Sequence, residues 1–254
     1  MLGISRFRQS AILASAGAVA LGLACGSPAQ STTSGTAATL NELKIAQQCQ
    51  WADMVYTPNR SDFPDTPQGR AFFKLQRFQI ERAITCLVNQ ARAGQPNPLK
   101  PLQGAYSNIR RNNRVELGNA AQQHADEAAR LRWWGTVAEV GNCVPRQDKP
   151  ELCDPHIHPV TKTTPGDRAW SAGYGPRCRQ HWVGENAYTG PGREAVTPRA
   201  AFTWWMKSDR HRQNILDPRF RHMVVSVAWG SANPADGSIT PALTYVQMFG
   251  RCDT

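Results

Sequence analysis

Three side chains of types that bind a metal or move a proton stand in otherwise apolar and glycine-rich surroundings. They are Glu185 in Gly184-Glu185-Asn186, His211 in Trp205-Met206-Lys207-Ser208-Asp209-Arg210-His211-Arg212, and one of two histidines in Cys153-Asp154-Pro155-His156-Ile157-His158-Pro159. Neutral imidazole and carboxylate are good Zn²⁺ ligands, and three of them leave a position open for water. Such a metal would lower the pKa of that water and open a route to hydrolysis. The same groups can also hold an organic ligand without any chemistry. Glu185 lies between Trp182 and Tyr188. A carboxylate among aromatics must be exposed, paired or metal-bound, because burying it alone is very costly. Taken singly, Glu185 reads as a loop cap and His211 as part of a charged surface turn. Ser208, Glu185 and His211 invite a hydrolase triad, but no strained glycine elbow surrounds the serine.

The elements that position these groups follow from periodicity and caps. Leu40 to Tyr56 reads as helical. Thr66-Pro67 opens a helix on which Phe73, Ile80, Ile84, Leu87 and Ala91 recur at helical spacing, with a stop at Gly94. A second helix spans about Val115 to Trp133. His124 falls on its apolar face with Leu117, Ala121, Ala128 and Leu131, the place of a packed core histidine. Gly135 to Gly184 reads mostly as loop, pinned by cysteines. Thr197-Pro198 starts a third helix to about Lys207, and Asp209 caps a short helix through Leu216. Met223 to Trp229 and Leu243 to Phe249 alternate like strands, joined as a hairpin through Asn233 to Gly237. Helices with an antiparallel hairpin point to the α+β class.

The order of these motifs resembles the CAP superfamily, which takes in cysteine-rich secretory proteins, antigen 5 and pathogenesis-related 1, and in particular its bacterial SCP-like members. The matching features are Asn89-x-x-Arg92 at the end of an apolar helix, the histidine segment, Gly184-Glu185-Asn186, Trp205-Met206 through His211-Arg212 to Asn214-Ile215-Leu216, and Gln247-Met248-Phe249-Gly250. The resemblance implies a three-layer α-β-α sandwich with a central antiparallel sheet. It also implies a cleft lined by two histidines and Glu185. His156 fits the pattern of similar bacterial proteins, with Pro159 and Lys162 at the expected spacing and one extra residue before Asp167-Arg168; His158 fits less well. Eukaryotic relatives carry a second glutamate where this chain has Ser208, which weakens acid–base catalysis by a carboxylate pair. The implied ligand set is therefore His156, Glu185 and His211, with His158 and Ser208 nearby. The implied occupants are Zn²⁺ or another divalent metal, a lipid or sterol, or a peptide. His181 and His222 are assigned to structure or solvent.

Compartment follows from the N-terminus and the cysteines. Arg6 and Arg8 followed by the apolar run Ala11 to Ala24 read as a secretory signal, shorter than the about 20 residues a spanning helix needs. Residues 26–39 are uncharged and rich in Ser, Thr, Gly and Ala, a flexible tether. Cys25, directly behind the apolar run, resembles a lipoprotein processing site. Of seven cysteines, six then remain, an even number that suggests three disulfides in an oxidising compartment. The expected pairs are Cys143–Cys153, Cys49–Cys86 and Cys178–Cys252. The formal charge of +10 falls to +8 once the two signal arginines are removed, a basicity suited to anionic envelope surfaces and, outside the cytoplasm, not to nucleic acid. The densest basic cluster, Arg110, Arg111 and Arg114, reads as a solvated loop. The expected organisation is signal 1–24, lipid-tether linker 25–39, helical extension 40–79 and CAP-like domain 80–254. The leading functional expectation is an extracytoplasmic lipoprotein that binds a ligand. A metal-dependent envelope hydrolase (protease or esterase) and a disulfide-stabilised structural or interaction protein with a relic cleft are the alternatives.

Overall fold

The computed structural model describes residues 49–56, 67–104, 114–176 and 178–253. Within them the chain forms α1 (Pro67–Ala93), α2 (Arg114–Leu131), α3 (Val137–Val140), α4 (Pro165–Ser171), β1 (Gln180–Pro191), α5 (Pro198–Lys207), α6 (Asp209–Leu216), β2 (His222–Trp229), a 3₁₀ turn (Pro234–Asp236) and β3 (Ala242–Asp253). The sheet order is β1-β3-β2, antiparallel throughout, with β3 central. Every residue of β3 from Ala242 to Gly250 is buried, because helices cover both faces of the sheet. Successive side chains of a strand point to opposite faces. Met223, Val225, Val227, Leu243, Tyr245 and Phe249 therefore meet Ile80, Ile84 and Val88 of α1, Trp205 of α5 and Ile215 of α6. Val224, Ala228, Val246 and Met248 meet Leu117, Ala121 and Ala125 of α2 and Ala169 of α4. This is the expected α-β-α layering.

The three expected disulfides are present: Cys49–Cys86, Cys143–Cys153 and Cys178–Cys252. The first ties the 49–56 segment to α1, where Ala52 packs with Ala83 and Leu87. The Asn-x-x-Arg motif is structural. Asn89 donates to and accepts from the backbone of Leu102, and buried Arg92 donates to the carbonyls of Lys100, Ile215 and Asp217. It thereby fixes the end of α6, the helix that carries His211.

Several expectations need correction. Residues 49–56 form turns and extended chain, not helix, since the disulfide and Ala52 anchor them to α1 without a helical ladder of their own. The α1 helix runs unbroken across the boundary expected at residue 79. The 135–184 segment is less loop-like than expected, holding α3, α4 and the first residues of β1. Ser208, not Asp209, occupies the N-cap of α6, and its side chain makes no capping bond; Asp209 is the first helical residue and pairs with Arg212. The signal, the tether, Cys25, Arg110 and Arg111 lie outside the described residues.

Candidate functional site

The edge strand β1 assembles the site. Glu185 pairs across the sheet with Met248 and points to the α2/α4 layer, whereas Asn186 pairs with Gln247 and points to the α6 layer. One dipeptide thus anchors both halves of the site. Gly184 precedes it because an added Cβ would stand 2.9 Å from the Phe220 ring and 3.1 Å from Asn214 Oδ1. Asn214 Nδ2 donates to the Glu185 carbonyl and to Asn186 Oδ1. Asn186 Nδ2 donates to the His211 carbonyl and to Gln247 Oε1. This amide chain satisfies part of the outer edge of β1 and fixes His211 relative to Glu185.

The Glu185 carboxylate is enclosed, its side chain 1 % exposed. Arg168 Nη2 donates to Oε2 at 2.7 Å, and His156 Nδ1 lies 2.9 Å from Oε1. His124 Nε2 stands 3.6 Å from the same Oε1. Burial would raise the carboxyl pKa, but the Arg168 charge, His124 and the hydrogen bond from His156 outweigh it and hold it at about 2. An ionised carboxylate only accepts hydrogen bonds, so His156 carries its proton on Nδ1 when neutral and presents the Nε2 lone pair elsewhere. A carbonyl also only accepts. The 2.8 Å contact between His124 Nε2 and the Pro155 carbonyl therefore makes Nε2 the donor. Burial lowers the His124 pKa to about 4, against the pull of Glu185, so this ring is neutral near pH 7.

Local sequence places each partner. Thr164 and Asp167 form a capping box and Pro165 sits in the first turn of α4, which delivers Arg168 to the sheet. Arg168 Nη1 also donates to the carbonyls of His156 and Thr163. Asp154 Oδ1 accepts from the His156 N–H, and the Cys143–Cys153 disulfide secures the chain just ahead of it. His211 packs its ring 4.9 Å from that of Trp204 and 6.4 Å from that of His156. Burial, with His156, Arg146 and Arg210, lowers the His211 pKa to about 4. Its Nδ1 is buried and makes no hydrogen bond among the described residues.

The structure therefore brings His156, Glu185 and His211 into one neighbourhood, but in unequal roles. The His156 side chain is 30 % exposed while Glu185 lies beneath it. His158 is not part of this group. Its Nδ1 accepts from the N–H groups of Val160 and Thr161, and its Nε2 faces Glu127 at 3.2 Å. It shapes the loop that presents His156. Among the described residues no hydrogen bond links Ser208 to Glu185 or His211, so the triad has no activated hydroxyl. His222 accepts or donates at 2.9 Å with the Tyr174 hydroxyl and His181 lies against Trp170, both structural contacts.

The three-ligand metal set does not fit this geometry. Both carboxylate oxygens of Glu185 are engaged, one of them by a guanidinium that would repel a divalent cation. Among the described residues no group of three or more His, Cys, Asp or Glu is arranged to hold a metal ion. Glu185 acts instead as the buried anion that orients His156 and fixes its tautomer.

Two site residues are not legible as such in the sequence. Arg168 enters there only as a spacing mark, although Thr164-Pro165 repeats the helix-start signature of Thr66-Pro67 and Thr197-Pro198. His124 reads as a core residue, which it is, but nothing in a helical stripe says that the core there contains a carboxylate.

No protein-family model matches this chain, and no curated protein matches it. Solved structures do. An extracellular protein containing an SCP domain from Bacillus anthracis str. Ames is 20 % identical with a TM-score of 0.39, over 76 % of this chain and 45 % of that one. This chain therefore spans less than half of that protein. An outer surface protein from Borrelia burgdorferi is 11 % identical with a TM-score of 0.34, over 79 % of this chain and the whole of that one. Among the described residues no helix is long and apolar enough to cross a membrane. The three-layer α+β arrangement is the one the CAP resemblance implied.

Proposed function

We propose that this chain is an extracytoplasmic CAP-like binding protein, carried on a lipid at Cys25, whose cleft takes an organic ligand at His156 and His211. The observation that supports this reading is a histidine held in one tautomer beside a second whose buried Nδ1 makes no hydrogen bond among the described residues. His156 is held in one tautomer by a buried, ionised Glu185, with its Nε2 turned away from that bond. Beside it, His211 Nδ1 has no hydrogen-bond partner among the described residues. Buried polar atoms in folded proteins are nearly always satisfied, so an orphan at a cleft is a place for a ligand group or water. Trp204, 47 % exposed, adds an apolar platform on the same side. A shallow groove of about 390 Å³ continues from Trp204 along Tyr188, Thr197, Thr203 and Lys207. The CAP resemblance names lipids and peptides as the ligand classes to try.

The test is Trp204 fluorescence with long-chain amphiphiles and with short peptides. A saturable change in the parent, absent in His156→Ala, supports the reading, and Trp204→Phe serves to assign the signal to Trp204. If no compound of either class gives a saturable change, or if His156→Ala binds like the parent, the cleft is not a ligand site. The lipid anchor is tested apart from the cleft: Cys25→Ser expressed in the native host should leave the membrane fraction, and unchanged partitioning would remove the anchor.

A further inference from the structure

We infer that the group recognised in this cleft is an anion, a phosphate or carboxylate head, with the rest of the ligand lying over Trp204 into the adjoining groove. This deepens the reading above and rests on it. The warrant is the charge around His211. From the loop after α3, Arg146 reaches Asp148 with two bonds, of 3.1 and 2.9 Å. From α6, Arg210 reaches the same carboxylate at 3.3 Å. One anion is thus shared by two guanidinium groups, which leaves a net positive rim. The Arg210 side chain is 72 % exposed and able to swing toward a ligand. Both arginines stand close enough to His211 to oppose its protonation, as does His156.

The other faces of the site do not cancel this charge. From β1, Glu185 is the carboxylate beneath the rings, and Arg168 of α4 neutralises it. From α2, His124 is buried and committed to the Pro155 carbonyl. From α5, Trp204 contributes no charge, and Lys207 adds a cation at the far end of the groove. Asp209 on α6 is paired with Arg212. Glu194 is the acidic member of the groove lining and Lys207 offsets it, while Arg199 is committed to Asp53. A guanidinium pair joined through Asp148 beside His211 matches the oxygens of phosphate or carboxylate, because charge-assisted bonds to such oxygens are about twice as strong as neutral ones. The neighbouring exposed indole suits an apolar continuation. A cationic ligand head would meet Arg146 and Arg210; the carboxylates nearest them, Asp148 and Asp209, are paired with arginines, and Asp154 Oδ1 accepts from the His156 N–H.

The probes are octyl phosphate, octyl glucoside and octyltrimethylammonium, which share a tail and differ in the charge of the head, with inorganic phosphate as the head alone. Binding is read by titration calorimetry on the folded, disulfide-intact protein in the presence of a chelator. The expected order is octyl phosphate first, the neutral head weaker and the cationic head weakest, with inorganic phosphate competing. The variant R146Q/R210Q removes two charges from the rim and leaves the buried Glu185–Arg168 pair untouched. It should weaken octyl phosphate roughly tenfold or more while leaving octyl glucoside nearly unchanged. Equal binding of all three heads, or octyl phosphate binding that survives R146Q/R210Q, overturns the anion inference alone. Absence of binding by every probe overturns the anion inference, and the cleft reading falls with it only if the short peptides fail to bind as well. If inorganic phosphate competes but octyl phosphate gains nothing over it, the anionic head stands and the apolar continuation over Trp204 is overturned, with a free phosphate as the occupant.

Discussion

Arg168→Met is the sharpest perturbation of this site. It removes a guanidinium 5 % exposed from a carboxylate 1 % exposed at 2.7 Å. Both ions have already lost water, so the variant leaves the Glu185 charge without its strongest partner. Removing one member of a buried ion pair typically costs about 3–5 kcal/mol. Arg168 also holds the carbonyls of His156 and Thr163, which places the expectation toward the upper end of that range. For a domain of this size each kcal/mol moves the thermal midpoint by about 2–4 °C, so the loss should be roughly 6–20 °C. Calorimetry on disulfide-intact protein measures it. The accompanying variants are Glu185→Leu and the double variant R168M/E185L. Replacing both ions by apolar groups restores the balance that one deletion upsets, so the double variant should be more stable than R168M. As a surface comparison, Arg219→Gln breaks an exposed pair with Asp217 and should leave the midpoint close to that of the parent. An R168M loss below about 1 kcal/mol, or a double variant whose loss equals the sum of the single ones, would refute the view of Glu185 as a carboxylate stabilised chiefly by Arg168.

Other expectations follow from the same geometry. The His124 pKa is about 4 folded against 6.5 as its ordinary value, so the unfolded chain binds the proton first and stability declines as pH falls from about 6.5 to 4; urea midpoints across that window should drop, and less in His124→Gln. Glu185, held at about 2 against 4.5, contributes stability above pH 4.5 that is lost as pH falls toward 2, so Glu185→Gln should flatten this second decline. Replacing both Cys143 and Cys153 by serine opens a separation of 10 residues. That should cost about 3 kcal/mol, with faster hydrogen exchange over the segment that follows Cys153 as the local signature. Zinc titrated into chelator-treated protein should not protect it through Glu185: any stabilisation by the ion should persist in Glu185→Gln and vanish in His211→Ala, and a loss confined to Glu185→Gln would restore Glu185 as a ligand.

Much of this molecule is legible in one dimension because the signals are local. Thr-Pro helix starts, helical spacing of Ile80, Ile84 and Leu87, and alternation from Met223 to Trp229 each report a period fixed by backbone geometry. The disulfide pairs are reachable because six cysteines divide among one short loop, the two ends of the last sheet region, and the first long helix with the segment before it. The β1 strand is hidden for the opposite reason. Its sequence, Gln180 to Pro191, mixes glycine, amides and aromatics without alternation, since its inward groups on both faces include polar site residues rather than an apolar stripe. The choice of His156 over His158 is open to spacing, but the role of each is not. Two positions in sequence separate them, and the fold sends one ring to Glu185 and the other to Glu127. Likewise the residue types at Glu185 and His211 advertise a metal. Only the tertiary structure decides that Arg168, delivered by a capped helix of the layer that Glu185 faces, takes the carboxylate first. Charge compensation in a buried site depends on which cation arrives within about 3 Å, and no periodicity along the chain encodes that distance.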